Sequence, residues 1–263
     1  MKQKKPFDKY KLYHDSVQSP EADVEFLYDT YKELRRKRPF AFREDFCGTF
    51  QLAKSWTDLK PDNIAYGIDL DPEPIRYGRE HHYDKLKPAQ QERLTIMRQN
   101  VLTARVPQVD VIAAMNFSYF LFKQRPQLKK YFSRCLAGLK KNGILVIDCF
   151  GGPSCQESNE DSHRIGGFTY YWDQESYNPV TNEAVFHIHY KRRGENKRKY
   201  VFSYDWRMWS IPELRDIMAE VGFKRTWLYW EGSKRNGEGN GIFKRSEVGE
   251  ECDAWVAYVV AEK

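Results

Sequence analysis

FREDFCGTF (residues 42–50) and GIDLDP (67–72) decide the fold. In each, an apolar extended run ends in acidic residues and turns directly into a helix-forming segment, as expected of strands that feed helices. Outward from this pair the pattern repeats. The runs FAFRED (40–45), NIAYGIDL (63–70), RLTIMRQNV (93–101), VDVIAAMNF (109–117) and GILVIDCF (143–150) alternate with helical stretches at 49–56, 74–83 and 126–139. That alternation predicts a parallel sheet covered by helices. A helix also precedes it: Ser19 and Pro20 form a start signal, acids follow, and Val24, Leu27, Tyr28, Tyr31 and Leu34 recur at helical spacing.

Beyond Gly152 the period changes to two. Phe186, Ile188 and Tyr190 share one face of 184–190, with Val185, His187 and His189 on the other. Tyr200, Phe202, Tyr204 and Trp206 align in the same way, and with FTYYW (168–172) they predict a small antiparallel insertion at about 166–209. Ser210 and Glu213 form a capping box for a helix that runs to Val221 and stops at Gly222. RTWLYWE (225–231) and AWVAYVVAE (254–262) read as two final strands, joined by a Gly- and charge-rich mobile loop at 232–252.

Composition narrows the class. The 263 residues are 41% hydrophobic with a mean hydropathy of −0.77, too apolar for disorder and too polar for a membrane bundle. Five cysteines without a C-x-x-C pair or zinc spacing favour a reducing compartment and no metal site. The N-terminal segment has no apolar stretch after its basic residues, so the expectation is a cytoplasmic protein without membrane contact. The net charge is +6, from 43 Lys and Arg against 37 Asp and Glu. Arg35, Arg36, Lys37 and Arg38 complement a helix C-terminus, while 191–193 and 197–199 flank a hairpin turn at 194–196, which argues against a nucleic-acid surface. The 17 Tyr, 16 Phe and 7 Trp leave core, substrate cage and base-stacking platform open. His187 and His189 lack a third metal ligand in the sequence pattern and read as a packed hairpin face.

Gly48 and Asp69 are 21 residues apart, the spacing between a tight glycine turn and a carboxylate that accepts from ribose hydroxyls. A nicotinamide dinucleotide would need G-x-G-x-x-G, and here Phe46 and Phe50 stand where further glycines belong. The loop therefore suits a nucleoside without a pyrophosphate.

The order FREDFCGTF, GIDLDP, QNV (99–101), VDVIAAMNFSYF, helix, GILVIDCF resembles the class I S-adenosylmethionine-dependent methyltransferases over roughly residues 40–263. YHDSVQSPE (13–21), REDFCGT, NFSYF and YDWRMW (204–209) are similar to one branch of that family. The resemblance implies an α/β, Rossmann-like fold: a seven-stranded, mostly parallel sheet with helices on both faces and the small antiparallel β insertion. Residues 1–39 would be a helical cap and 40–263 the methyltransferase domain. The implied cofactor is S-adenosylmethionine. Glu44, Phe46, Cys47 and Gly48 would surround its methionine moiety, Asp69 its ribose, Leu70 its adenine face, and Asn100 and Val101 the adenine edge. The cap would bring Tyr13 and Gln18 over it.

Arg43 is added as a bidentate partner for the methionine carboxylate, and Cys47 reads as a small packing residue. At the transfer site, Asn116-Phe117-Ser118-Tyr119 partly matches the Asn/Asp-Pro-Pro-aromatic segment of amino methyltransferases that act on nucleobases, which makes Asn116 and Tyr119 the catalytic candidates, Asn116 a cofactor contact as well, and nitrogen the expected acceptor. Tyr204, Trp206 and Arg207 are the substrate-binding candidates, an aromatic cage with a cation beside it. The expected partner is a small molecule, bound by a monomer or homodimer. RNA or protein methylation through the basic clusters, and a non-catalytic cofactor-binding module, are the alternatives.

Overall fold

The computed structural model describes residues 6–235 and 237–263; residues 1–5 of the expected cap lie outside it. Two helices come first, α1 (Lys9–Val17) and α2 (Pro20–Arg35). Asp8 caps α1 by accepting the Lys11 N–H. In α2, Pro20 sits at the first position, Glu21 and Asp23 in the first turn, and Val24, Leu27, Tyr28 and Tyr31 on the buried face. The helix ends at Arg36 in the left-handed region (φ 54°).

The alternating unit follows: β1 (Ala41–Asp45), α3 (Gln51–Leu59), β2 (Ile64–Asp69), α4 (Pro72–His81), a single turn α5 (Pro88–Gln91), β3 (Leu94–Arg98), β4 (Val109–Ala114), α6 (Arg125–Gly138) and β5 (Leu139–Gly151). β1 and β4 are buried along their whole length, as central strands of a helix-covered sheet must be. Phe42 of β1 stacks on Trp56 of α3 at 4.9 Å, both fully buried. A side chain of that size contributes roughly 2–3 kcal/mol when removed from water.

Among the described residues eight strands form the main sheet, one more than expected, and its order runs from β11 (Gly239–Ser246) through β10 (Arg225–Ser233), β12 (Trp255–Glu262), β5, β4, β1 and β2 to β3. β5, β4, β1, β2 and β3 are mutually parallel. β12, β10 and β11 add antiparallel on the β5 side. The extra strand, β11, lies inside the stretch expected to be a mobile loop. Its sequence GNGIFKRS is polar and mostly exposed, as an edge strand should be, and so carries no apolar period. From β1 the chain moves outward to β2 and β3 on one side and to β4 and β5 on the other, so the strand order reverses between β1 and β4. That switch point opens a crevice at the carboxyl edge.

The insertion is a separate four-stranded antiparallel sheet: β6 (Asn159–Ile165), β7 (Phe168–Asn178), β8 (Glu183–Arg192) and β9 (Arg198–Arg207). It begins earlier than 166 because β6, NEDSHRI, is an almost wholly exposed polar edge strand with no apolar signal. One side-chain alignment is also corrected. A register shift between Ile188 and Tyr190 leaves Tyr200 at φ 56°, which turns its ring away from Phe202 and onto His187 and His189 (centroids 4.6 and 5.3 Å). α7 (Ile211–Val221) carries the capping box, with Ser210 and Glu213 bonded reciprocally, and ends at Gly222 in the left-handed region.

Candidate functional site

At the switch point a cavity of about 280 Å³ opens over the ends of β1, β2 and β4. Its floor is the loop 46–50. Phe46, Gly48 and Phe50 all have positive φ (58°, 50° and 51°), so the backbone takes the left-handed turns that glycines would normally supply. For a non-glycine residue this costs about 1–3 kcal/mol, and such strain clusters at sites where loop shape matters. Room for the Phe50 ring comes from α4: a Cβ at Gly78 would lie 2.4 Å from it. A Cβ at Gly48 would meet nothing within 4 Å.

Asp69 ties this loop to the next. Its Oδ2 accepts the Gly48 N–H at 2.7 Å and its Oδ1 the Asp71 N–H at 2.8 Å. A carboxylate offers about four lone-pair sites, so two remain for a ligand at the cavity wall. Glu44 is 7% exposed, accepts the Ala53 N–H of α3 at 2.7 Å, and is pushed well above the usual carboxylate range by burial. The Cys47 thiol is likewise raised by burial and by Glu44 and Asp69, which suits packing and not nucleophilic work.

A second strained loop faces the first. Asn116 and Phe117 both have φ 57°, and their N–H groups donate to Asp148 Oδ2 (2.6 Å) and Oδ1 (2.9 Å). Burial raises the Asp148 carboxyl to about 7, against the lowering effect of those two donors. The sequence reading missed Asp148. Its only signal was an acid near the end of the GILVIDCF run, and its partners lie in the loop that follows the neighbouring strand β4.

The roof is built by α1 and β9. Tyr13 and Gln18 line the cavity together with Phe202 and Tyr204. Tyr13 packs on Phe202 at 5.0 Å, and burial pushes its hydroxyl up to about 12. α1 is held down at both ends: Asp8 accepts from the Tyr77 hydroxyl at 2.9 Å, Lys9 pairs with Glu73 at 2.7 Å, and Ser16 bonds Tyr190 at 3.1 Å.

The other candidates lie elsewhere. Arg43 points to the opposite side of β1 from Glu44, is 4% exposed, and donates twice to Asp45 (2.8 and 2.7 Å), which also accepts from Tyr131. It holds a buried network and has no reach into the cavity. Tyr119 is fully buried with its hydroxyl on the Asp148 carbonyl, so Ser118 and not Tyr119 lines the cavity. Trp206 is packed among Phe120, Phe150, Phe186 and Tyr204. Arg207 lies 3.8 Å over Trp209 and pairs with Glu213. Both are structural, and of the substrate candidates only Tyr204 meets the cavity. Val101 is packed in the core, Asn100 turns its Oδ1 onto the Leu102 N–H (2.9 Å), and Leu70 is 61% exposed beyond β2.

Outside the cavity, Glu160, Asp173 and His189 bring ligand atoms within 4.8 Å of one another, a set that takes in His189 but not His187. His189 Nδ1 accepts the Tyr200 N–H, which leaves Nε2 as the donor to Asp173 in the neutral ring. A protonated Nε2 has no lone pair for a metal, so this is a hydrogen-bonded network. The basic clusters are paired in part: Arg35 with Glu262, Arg38 with Asp62, Lys197 with Glu160. No helix among the described residues is long and apolar enough to cross a membrane.

No protein-family model matches the chain, and no curated protein matches it. Solved structures do. An S-adenosylmethionine-dependent methyltransferase from Clostridium acetobutylicum superposes with a TM-score of 0.70 over 96% of each chain at 14% identity. An amino pentose methyltransferase from Micromonospora echinaspora, solved with S-adenosylmethionine, gives 0.67 over 100% of each chain at 12% identity. A sugar N-methyltransferase from a Streptoalloteichus species gives 0.65 over 100% of this chain and 96% of its own at 16% identity. At these identities the shared property is the Rossmann-like methyltransferase fold.

Proposed function

We propose that this chain is an enzyme that transfers a methyl group from S-adenosylmethionine to the nitrogen of a small-molecule acceptor. One observation carries the reading. At the switch point of a methyltransferase fold, Asp69 holds two loops together and still has acceptor capacity at the cavity wall. The cavity also fits a net cationic ligand. Asp69 and Asp71 line it, the lining cation Lys9 is already paired with Glu73, and Gly48 leaves the floor open.

In this reading Asp69 accepts from the ribose hydroxyls, while the backbone of Phe46, Cys47 and Gly48 with Glu44 surrounds the methionine end. Outside the cavity lining, the exposed Leu70 just after β2 and Asn100 just after β3 would offer the adenine face and edge, with Val101 packed in the core. Tyr13, Gln18 and Tyr204 close the roof and exclude water. When bound, S-adenosylmethionine supplies a methyl group already activated on a sulfonium. The protein's task is then orientation, which can supply roughly 7–11 kcal/mol of a bimolecular barrier. Asn116 is the group that would accept an N–H from the incoming amine and aim its lone pair, with Asp148 holding the strained turn that presents it. The pairing of the basic clusters with acids favours a small acceptor over RNA.

Titration calorimetry tests this. S-adenosylmethionine should bind the wild type, and Asp69→Ala should weaken it by about 10- to 100-fold, the range for losing a hydrogen bond to a charged group. Unchanged affinity in the variant would remove the assignment.

A further inference from the structure

A second pocket, of about 310 Å³, lies on the same sheet edge beside the cavity, at the ends of β5, β12 and β10. We infer that it is the acceptor's binding site and that it selects a ring-bearing amine that enters as a cation; this rests on the reading of the neighbouring cavity as the cofactor site. The two spaces share one loop. Phe117 lines the second pocket while Asn116 and Ser118, on either side of it in the chain, line the first. A molecule in the second pocket therefore sits across the strained turn from the cofactor side.

The walls point to the ligand class. Trp172 of the insertion sheet, Trp230 of β10 and Trp255 of β12 converge from three distant parts of the chain, with Phe150 of β5 behind them. Trp230 and Trp255 lie 5.1 Å apart at 33°. Gly151 makes the packing possible, because a Cβ there would lie 2.5 Å from the Trp255 ring. Large, fixed aromatic faces bind the flat side of a ring and attract cations.

The charged groups at the rim are both acidic. Asp161 stands opposite Trp172 in the β6–β7 register, and Glu231 is held by the Gly241 N–H at 2.8 Å. Among the described residues no lysine or arginine lines the pocket, so nothing there would neutralise a phosphate or carboxylate. An ammonium has carboxylates and indole faces to meet it, and an anion has neither. The ammonium loses one proton to water before reaction. The nitrogen lone pair then forms the N–C bond as the C–S bond breaks, its electron pair stays on sulfur, and the methylated ammonium can again shed a proton to water.

The test uses the full chain and ligand-observed NMR titrations with cyclohexylamine, cyclohexanol and cyclohexanecarboxylate at millimolar concentration. Cyclohexylamine should bind about tenfold or more tightly than either other probe. Trp255→Ala should weaken it by about tenfold, and the rim variants Glu231→Gln and Asp161→Asn by severalfold each. The rim variants guard against a folding defect in Trp255→Ala. Equal binding of cyclohexanecarboxylate, no binding of cyclohexylamine, or unchanged binding in the rim variants overturns the inference. S-adenosylmethionine is titrated separately. If it fails to bind the wild type, the proposed function falls; if it binds and the amine does not, only the acceptor assignment falls.

Discussion

The cavity over β1, β2 and β4 and the pocket over β5, β12 and β10 share one edge of the sheet, yet different forces hold them in shape. The first is a backbone construction. Five residues have positive φ, at 46, 48, 50, 116 and 117, and two carboxylates pin three of them: Asp69 accepts the Gly48 N–H and Asp148 those of Asn116 and Phe117. The second is a side-chain construction of indole and phenyl faces. Backbone strain gives a loop one shape and so suits a fixed ligand. Packed aromatic walls are redrawn by single substitutions, and so suit a ligand that differs from one relative to another.

That contrast can be broken first at Arg43, on the strand beneath the cavity. Its pair with Asp45 is buried, and removal of one partner strands a charge. Arg43→Ala should therefore lose about 3–5 kcal/mol in chemical denaturation, while the folded variant keeps its affinity for S-adenosylmethionine. A large loss of affinity with little loss of stability would instead restore Arg43 as a ligand for the methionine carboxylate.

A smaller effect is expected at Asp148. Its carboxyl is raised to about 7 in the free protein. A ligand with net positive charge favours the carboxylate form, so binding lowers that value and releases a proton. Affinity for S-adenosylmethionine should then rise as the pH increases through 7, by at most about tenfold for each pH unit, and level off above. Asp148→Asn should flatten the profile, and a wild-type profile flat through pH 7 would refute the coupling.

The smallest change belongs to the roof. Tyr77→Phe removes the hydroxyl that holds Asp8 at the start of α1. A bond of this kind contributes roughly 1 kcal/mol, so cofactor affinity should fall by about fivefold with global stability little altered. An affinity equal to wild type would mean that α1 stays in place without this contact.

Legibility followed how local each signal was. Gly48 and Asp69 were found because strand, turn, helix and strand set their separation, and the structure joins them by one hydrogen bond. Arg43 was misplaced although its signal was available: strand alternation puts it on the face of Asp45, opposite Glu44. Reading Trp206 as part of an aromatic cage, with Arg207 as the cation beside it, rests on residue types in one segment, which cannot tell a ring that lines a pocket from one packed against other rings. β6 and β11 escaped because edge strands carry polar residues and show no apolar period.

By itself the sequence determined the parallel α/β unit, the switch-point loops and the antiparallel insertion, because these depend on periodicity, caps and spacing within short stretches. Only the tertiary structure decided which aromatics face a cavity, that Asp148 holds the turn at Asn116 and Phe117, and that Trp172, Trp230 and Trp255 converge. Those groups lie far apart in the chain and meet only when the sheet edge and the insertion pack together, so no local pattern encodes their contact.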